Sequence, residues 1–355
     1  MSNTNTLSSM ASGRGHYRAL VRRRQLMLAG FGIALLVSLC VDLALGPSNY
    51  SLEQVIRALV APDSVPVQVQ VVLWEIRMPI ALMAVVVGAA LSVAGAQMQT
   101  ILNNPLASPF TLGISAGASF GAALALAFGV TLIPAAIEYV VPINAFVVAM
   151  LAAFFIHLVS MRRGVTVQTI VLLGIALVFT FNALLALVQF FASQQALAAV
   201  VFWTMGSLTK ATWGKFWITL AVVVVVLPFF FRRAWALTAM RLGDAKAESF
   251  GINIARMRLE TMILVSLLSA IPIAFVGTVG FVGLVGPHIA RMLIGEDQRF
   301  FLPASALSGA LILSASSVVS KSLIPGTIFP IGVVTSLVGI PFFISLILSN
   351  QRRSW

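Results

Sequence analysis

Long runs of apolar residues, separated by short polar stretches, dominate the chain from residue 26 onward. A helix of about 20 apolar residues is long enough to cross the hydrocarbon core of a bilayer. The pattern predicts ten hydrophobic helices, of which the eighth is too short to span alone. They are expected at 26–45, 79–102, 108–130, 137–160, 167–192, 213–231, 259–278, 285–294, 303–323 and 331–348.

Composition places this pattern in one fold class. Hydrophobic residues make up 60% of the 355-residue chain, charged residues only 9%, and the mean hydropathy is +1.04. Too little polar surface remains to cover a soluble globule of this size. We therefore predict an all-α membrane protein, a polytopic bundle of about ten transmembrane helices. The expected parts are a basic N-terminal tail (1–25), a transmembrane domain (26–350) and a short C-terminal tail (351–355).

Basic residues fall unevenly on the two sides that this helix count defines. If the N-terminus is inside, seventeen of the 22 Lys and Arg residues lie in inner segments. Inner loops of membrane proteins collect Lys and Arg, so we predict an even number of spans, with both termini cytoplasmic. Orientation in the bilayer also explains the net charge of +12 better than nucleic acid binding does. The predicted outer residues are Arg57, Arg77, Lys210, Lys215 and Lys321.

Ionisable groups inside the predicted spans are scarce, although such groups mark proton and ion pathways. Only Asp42 and His157 lie well within a predicted helix. We expect Asp42 to reach the outer interface and His157 the inner one, with a transport role as the alternative for each. The single cysteine, Cys40, excludes an intrachain disulfide. No metal site is expected, because His288 lacks a second suitably spaced ligand and is better explained by capping or packing.

Residues 232–258 form a long charged segment between two apolar runs. Its six Lys and Arg residues predict a cytoplasmic location, where it would suit contact with a soluble partner. Asp244 is predicted to cap a short helix over 245–250, and Gly251 to stop that helix. The chain has no G-x-x-x-x-G-K-[ST] phosphate loop. If transport is driven by ATP, a separate polypeptide has to supply the motor.

Small residues recur where helices can approach each other closely. Gly113, Gly117 and Gly121 stand four apart, interleaved with Ser115 and Ser119, which predicts a tightly packed helix face. Such a face serves either internal packing, which we favour, or a dimer seam. Glycines also recur at every third position from 277 to 286, ahead of a proline. A break between two helices is expected there, because glycine is permissive and proline interrupts the helical hydrogen bonds.

Five motifs, in their order and spacing, resemble the permease subunits of ABC importers for ferric siderophores, haem and vitamin B12. The resemblance covers nearly all of the chain after the N-terminal tail. The motifs are RMP at 77–79, GAALSVAGAQMQTILNNPLASPFTLGISAGA at 88–118, LGD at 242–244 with Gly251, GFVGLVGPHIAR at 280–291 with LP at 302–303, and PIGVVTSLVGIPFF at 330–343.

The resemblance implies a permease that pairs with a second permease subunit, either a copy of itself or a relative, around one translocation path. It also implies a cytoplasmic ABC ATPase, which binds Mg-ATP, and a periplasmic or lipid-anchored solute-binding protein. No cofactor is expected on this chain. Gly243, Asp244, Glu248 and Gly251 match the family's pattern for coupling to the ATPase. An ordinary solvated basic loop is the alternative for this segment.

On the outer side, the family uses basic residues to meet acidic residues of the solute-binding protein, and Arg77 and Lys321 occupy such positions. Exposed charges of this kind mainly guide encounter and orientation. The chain departs from the family's pattern at Ile80, where a second basic residue is frequent, at Ser317 and Lys321, where Asp and Arg are frequent, and at Thr327, where Glu is frequent. These departures concern docking of the binding protein and not the class of transport.

The resemblance further implies a cytoplasmic gate and a lining for the path. Asn104, Pro105 and Leu106 would close the path together with Val167 and Gln168. A simple turn at Asn104 and Pro105 is the alternative, because both residue types favour turns. The segment 108–130 carries small, hydroxyl and apolar residues, which suit a path that has to release its cargo.

The expected function is transport without covalent chemistry, as the permease subunit of an ATP-driven importer. An iron chelate is the expected cargo, with ferric siderophore as the first choice and haem or cobalamin as the others. An ion-coupled secondary transporter is the alternative, but it would need an intramembrane relay that the predicted spans lack. A membrane-embedded enzyme would need convergent His, Asp or Glu side chains, which the sequence does not supply.

Overall fold

The structure, a computed structural model, describes residues 3–46, 50–134, 136–162, 165–324 and 326–351. Regular structure in these ranges is helical, apart from one isolated antiparallel bridge between Ile324 and Thr327. The α-helices are α1 Asn3–Ala44, α2 Leu52–Val60, α3 Val67–Val71, α4 Met78–Ile101, α5 Ile114–Phe128, α6 Ile137–Ser160, α7 Val167–Phe191, α8 Gln194–Thr204, α9 Trp213–Arg232, α10 Ala234–Met240, α11 Asp244–Ser249, α12 Ile254–Val276, α13 Val282–Ile294, α14 Gln298–Ser322 and α15 Ile331–Gln351.

Each of the ten predicted hydrophobic segments coincides with one of these helices. Within the described ranges, seven helical stretches are long and apolar enough to cross a membrane, and α5, α13 and part of α15 are shorter apolar helices. The all-α membrane fold is therefore confirmed, whereas the number of crossings stays a prediction. Three of the basic residues behind the predicted orientation, Arg163, Arg352 and Arg353, lie outside the described residues.

Helix α4 lies at the centre of the bundle, and nearly all of its residues are buried. It packs against α14, α12, α13 and α9. A β-carbon at Gly88 would overlap the backbone of Gly309 on α14, and one at Gly95 would overlap the backbone of Gly283 on α13. Since only glycine leaves room for such close backbone approach, the small residues of 88–96 explain how α4 fits between its neighbours.

The predicted segment 108–130 is helical only from Ile114 onward. Before it, the hydroxyls of Ser108 and Thr111 each accept a hydrogen bond from the other residue's backbone N–H, at 3.3 and 3.1 Å. Such side chain to backbone bonds compete with helix formation. Gly113 then adopts a left-handed conformation, with φ of 78°, directly before α5. The expectation that Gly113 shares a helix face with Gly117 is therefore wrong.

The predicted break between two helices is present after α12. Gly277 has φ of 76° and Phe281 has φ of 65°, so the chain cannot continue as a right-handed helix. The freed backbone is satisfied across the break, because Ser207 donates its N–H to the carbonyl of Val276 at 2.7 Å. Gly283 lies inside α13, so the break is shorter than the glycine pattern indicated.

Short helices were missed by the sequence reasoning, namely α2, α3, α8 and α10. For α2 a signal existed, since Ser51 and Gln54 form a capping box in which each side chain bonds the other's backbone N–H. Helix α8 begins with half of this arrangement, because the Ser193 hydroxyl accepts from the N–H of Ala196 at 3.3 Å. Hydrophobic runs of spanning length do not report such helices, because these are much shorter than a bilayer is thick.

Candidate coupling face and translocation path

The charged segment 232–258 folds into α10, α11 and the start of α12 at one end of the bundle, which we call the α11 face. Gly243 and Gly251 bracket α11 with φ of 98° and 78°. The expected stop at Gly251 is thus confirmed. The expected cap is wrong, because Gly243 occupies the N-cap, no side chain caps the helix, and Asp244 is its first residue. The carboxylate of Asp244 is instead committed to an ion pair with Arg258.

Arg258, in the first turns of α12, contacts both α11 and α4. Its Nη2 donates to both carboxylate oxygens of Asp244, at 2.8 and 2.9 Å. Its Nε donates to the carbonyl of Ile101, the last residue of α4, at 2.9 Å. Carbonyls at a helix C-terminus lack intrahelical partners and favour a nearby cation. The Arg258 guanidinium therefore satisfies α4 and α11 together.

Arg241, which precedes α11 in the chain, also forms hydrogen bonds with the end of α4. Its Nη1 donates to the Asn103 side-chain oxygen at 3.0 Å and weakly to the Gln99 carbonyl at 3.4 Å. Its Nη2 pairs with Glu296 in the connection between α13 and α14. Arg291 joins the same cluster, because it donates to the Gln99 side chain at 2.9 Å and lies 3.0 Å from Glu296. Arg241 is thus anchored to the body of the bundle.

Next to this cluster, buried amides join α4 to α14. The Gln97 amide donates to the Gln298 side-chain oxygen, and the Gln298 amide donates to the Thr100 hydroxyl, each at 3.0 Å. Asp297 accepts two side-chain hydrogen bonds from Arg299 and lies 3.4 Å from Arg24. The bond from Arg299 is the main reason that the pKa of Asp297 is lowered from its ordinary value.

The residues of the predicted gate lie in two places on the α11 face. Asn104 forms a turn, since its side-chain oxygen accepts the N–H of Leu106 at 2.9 Å, and Asn103 before it has φ of 43°. Pro105 and Leu106 are exposed. Val167 lines a groove of about 630 Å³ that is also lined by Asp244 and Glu248, and the neighbouring Gln168 is exposed. The turn is thus present, and closure of a path by these residues stays a prediction.

A cavity of about 470 Å³ opens beside α5, and a second cavity of about 230 Å³ adjoins it. The lining comes from the 108–111 turn, the break before α13, and helices α4, α5, α7, α8, α12, α13 and α15. No charged side chain lines either cavity in the described part of the chain. The polar side chains in the lining are Ser108, Thr111, Ser115, Ser119, Asn182, Thr204, Thr278 and Ser336.

The hydroxyl donors of this lining are largely used within the protein. Ser119 donates to the carbonyl of Ser115 at 3.1 Å, and Ser336 donates to the carbonyl of Gly332 at 2.7 Å. Thr278 donates across the break to the carbonyl of Thr204 at 2.5 Å. These side chains can offer acceptor oxygens to a solute but few free donors. The lining is therefore suited to weak contact rather than tight binding.

The small residues of α5 that were predicted to form one packed face lie on two different faces of the helix. Ser115 and Ser119 line the cavities. Gly121 lies against α6, where a β-carbon would overlap the carbonyl of Asn144, and a β-carbon at Gly117 would come within 3.2 Å of the carbonyl of Val148. The glycines thus provide internal helix packing, as favoured from the sequence, while the two serines line the cavities.

At the opposite end of the bundle, the structure corrects the expectation that Arg77 and Lys321 are exposed. The Lys321 side chain is only 6% exposed and its Nζ donates to Asp42 at 2.9 Å. Arg77 donates to the carbonyls of Leu43 and Ala44, at 2.7 and 3.0 Å, near the end of α1. Asp42 is fully buried, so its expected reach to the interface is also wrong. Both cations stabilise the end of α1 in this structure.

The departures from the family's pattern fall near this charge cluster. Ser317 is buried on α14, one helical turn before Lys321. The carboxylate that neutralises Lys321 comes instead from Asp42 on α1. Ile80 is buried, whereas Thr327 is exposed within the isolated bridge. A role for these residues in docking a binding protein stays a prediction.

The remaining candidate residues show packing rather than chemistry. His288 lies edge-on to Phe342, with ring centroids 6.1 Å apart, so the packing interpretation is confirmed. His157 stacks against Phe154 at 6.4 Å, and Cys40 is a half-buried free thiol. Among the described residues, no group of three or more His, Cys, Asp or Glu side chains is placed to hold a metal ion.

Comparison with known proteins defines the class to which this arrangement belongs. The vitamin B12 import system permease protein of Serratia proteamaculans is 33% identical over 327 residues, which are 92% of each chain. The hemin transport system permease protein of Yersinia pestis is 33% identical over 282 residues, 79% of this chain and 84% of that protein. The iron(3+)-hydroxamate import system permease protein of Bacillus subtilis is 32% identical over the same length and with the same coverage.

A solved structure supports the same conclusion. It is described as a metal-chelate type ABC transporter in an inward-facing conformation, and it is 28% identical to this chain. The similarity covers 92% of this chain and 99% of the other, with a TM-score of 0.81. The fold and the similar proteins together define an ABC importer permease. More particularly, residues 34–349 match the model of the FecCD transport family, and the chain belongs to that family.

Proposed function

We propose that this chain is the permease subunit of an ATP-driven importer that moves an iron chelate across the bacterial inner membrane. The observation that carries the proposal is the cavity without charged lining residues combined with a charged segment, α11, at one end of the same bundle. The cavity can accommodate a solute without chemistry, and α11 offers a soluble partner a site to act on. Both termini are then cytoplasmic, on the side of the α11 face.

The proposed transport is driven by ATP, but the sequence has no G-x-x-x-x-G-K-[ST] phosphate loop, so partner proteins are needed. A cytoplasmic ABC ATPase binds Mg-ATP and acts on α11, through the segment around Gly243, Asp244, Glu248 and Gly251. A periplasmic or lipid-anchored solute-binding protein delivers the cargo at the opposite end. A second permease subunit, identical or related, completes the path, as the resemblance to the family implies; α7, most of whose apolar surface is uncovered in the single chain, offers a surface to that subunit or to lipid. This chain itself binds no cofactor.

Ferric siderophore is the proposed cargo, with haem and cobalamin as the other candidates. The relatives are named for hemin, vitamin B12 and iron hydroxamates, so bulky metal chelates are what such permeases have in common. An ion-coupled carrier has less support. Asp42, the fully buried carboxylate, is paired with Lys321 and thus serves a structural contact. Uptake of each chelate, and ATPase stimulation by it, in the reconstituted complex would identify the cargo.

Reversing the charge at Asp244 tests the assignment of α11. Asp244→Arg places a second cation beside Arg258, so the ion pair is replaced by a repulsion. The charge of the surface offered to the ATPase is also reversed. We expect uptake to be abolished in proteoliposomes while membrane insertion stays intact. Asp63→Arg reverses an exposed carboxylate at the other end and controls for unspecific effects on insertion. Unchanged uptake in Asp244→Arg would contradict the coupling role.

A further inference from the structure

One side chain connects α11, the segment assigned to the ATPase, with the end of α4, from which the chain continues into the loop assigned to the gate. Arg258 bonds both carboxylate oxygens of Asp244 on α11 and the carbonyl of Ile101 at the end of α4. Its side chain is 22% exposed, so most of it is shielded from solvent. These charge-assisted bonds are shorter and stronger than bonds between neutral groups. The three bonds form a continuous connection from α11 to α4.

The geometry of arginine is important for this connection. A guanidinium group is planar and rigid, and it presents donors in fixed directions, so a displacement of one partner changes the bond to the other. A lysine ammonium carries the same charge on a flexible stem and would adjust to either partner independently. If the residue at position 258 only neutralised Asp244, arginine and lysine would serve equally well. A residue that transmits a displacement has to hold both partners at once.

The second arginine at this end has a different attachment. Arg241 holds Asn103 but is itself fixed to Glu296, and through that carboxylate it is joined to Arg291 on α13. It therefore ties the end of α4 to the body of the bundle. Arg258 ties the same end to α11. Arg258 itself lies on α12, so its side chain is the contact through which a displacement of α11 would reach the end of α4.

The chain beyond Ile101 leads from the end of α4 to the cavities. Asn103 has a left-handed conformation with φ of 43°, which asparagine adopts more readily than other residues with a side chain, so the chain turns sharply there. The Asn104 turn follows, and Gly113 with φ of 78° leads into α5, whose serines line the cavities. The 102–113 loop is thus attached at one end to Ile101 and at the other to a wall of the path.

We propose that Arg258 is the positioning residue that transmits displacement of α11 to the 102–113 loop and so opens or closes the path. This inference rests on the proposed function, because it assumes that an ATPase moves α11. It adds a specific link between the two, carried by the Asp244 carboxylate, the Arg258 guanidinium and the Ile101 carbonyl. Loss of that link uncouples ATP hydrolysis from transport without preventing either partner from binding.

The test measures coupling in the assembled complex of permease, ATPase and binding protein. Arg258→Gln removes the charge, and Arg258→Lys keeps the charge but removes the fork. We expect uptake per ATP hydrolysed to fall several-fold in Arg258→Gln, because the variant loses both the ion pair with Asp244 and the bond to the Ile101 carbonyl. Arg258→Lys should recover assembly and stability but not coupling. Arg299→Gln removes another arginine that bonds an acidic partner at the same end and should leave coupling intact.

A second readout reports on the loop directly and requires no cargo. Cys40→Ala first removes the single cysteine of the chain. Position 106 is exposed, so Leu106→Cys in that background can be labelled with a water-soluble maleimide. ATP with vanadate should change its labelling rate when Arg258 is present and fail to do so in Arg258→Gln. If Arg258→Gln does not assemble, Asp244→Asn weakens the same link from the α11 side and should also reduce the change.

The outcomes separate this inference from the proposed function. If the unaltered complex shows no ATP-dependent uptake of any chelate, the proposed function fails. If the unaltered complex transports and Arg258→Gln retains both its uptake per ATP and the nucleotide-dependent labelling at Leu106→Cys, transmission through Arg258 is overturned. If Arg258→Lys retains full uptake per ATP hydrolysed, a positive charge is sufficient at this position. The proposed role of the rigid guanidinium would then be wrong.

Discussion

At the scale of single residues, Asp42 and Lys321 show how far a residue's neighbours can lie along the chain. They form a buried ion pair between α1 and α14 although 279 positions separate them. The sequence showed an acidic residue inside a predicted span and a basic residue near the end of another. Nothing in the hydrophobic pattern says which helices are adjacent, so the pair was assigned to two separate surface roles. Tertiary packing decides that contact.

Asp42→Asn should destabilise the protein strongly. The change leaves the Lys321 ammonium buried without a carboxylate, which costs about 3–5 kcal/mol when one partner of a buried pair is removed. We expect a lower melting temperature for the purified permease in detergent and less protein in the membrane. An unchanged melting temperature would mean that Lys321 reaches solvent when Asp42 is neutral.

A second substitution can restore this pair from another helix. Ser317 lies one turn before Lys321 on α14, at the i, i+4 spacing at which side chains meet, and it is buried. In the Asp42→Asn background, Ser317→Asp should therefore recover much of the lost melting temperature. Failure to recover would show that the carboxylate is needed at the end of α1 itself, beside Arg77.

At the scale of helices, length and hydrophobicity predicted the elements better than their ends. All ten apolar runs became helices, because in a membrane each backbone polar group needs an internal partner. The ends depend on local hydrogen bonds that hydropathy ignores. The Ser108 and Thr111 hydroxyls delay the start of α5, and Gly243 rather than Asp244 caps α11. The capping box of α2 shows that some of these signals are readable.

Close packing of α4 yields a prediction at this scale. Gly95→Ala should destabilise the bundle by about 1–3 kcal/mol, the usual cost of overpacking, because its methyl group would overlap the backbone of α13. Gly30→Ala is the matched control, since nothing lies within 4 Å of a β-carbon there. It should be neutral or gain up to about 1 kcal/mol from helix propensity. Melting temperatures of the two variants in the same detergent compare them, and equal effects would contradict the close approach of α4 and α13.

At the scale of the whole molecule, a passive path is separate from the segment on which its drive acts. The cavity lining has no charged residue in the described part of the chain, and α11 stands at one end with its carboxylate linked to the bundle. The sequence predicted this division, from the absence of a phosphate loop and from the charged segment 232–258. It did not predict the link through Arg258, because that contact depends on where α4 ends relative to α12.

Transport with and without the ATPase tests the central claim most directly. The permease is reconstituted into proteoliposomes with the binding protein and a ferric siderophore, either alone or with its partner ATPase and ATP. We expect the chelate to accumulate only in vesicles that contain the ATPase and ATP, and not to be driven by an imposed proton or sodium gradient. Uptake at the full rate by the permease without the ATPase would contradict that claim.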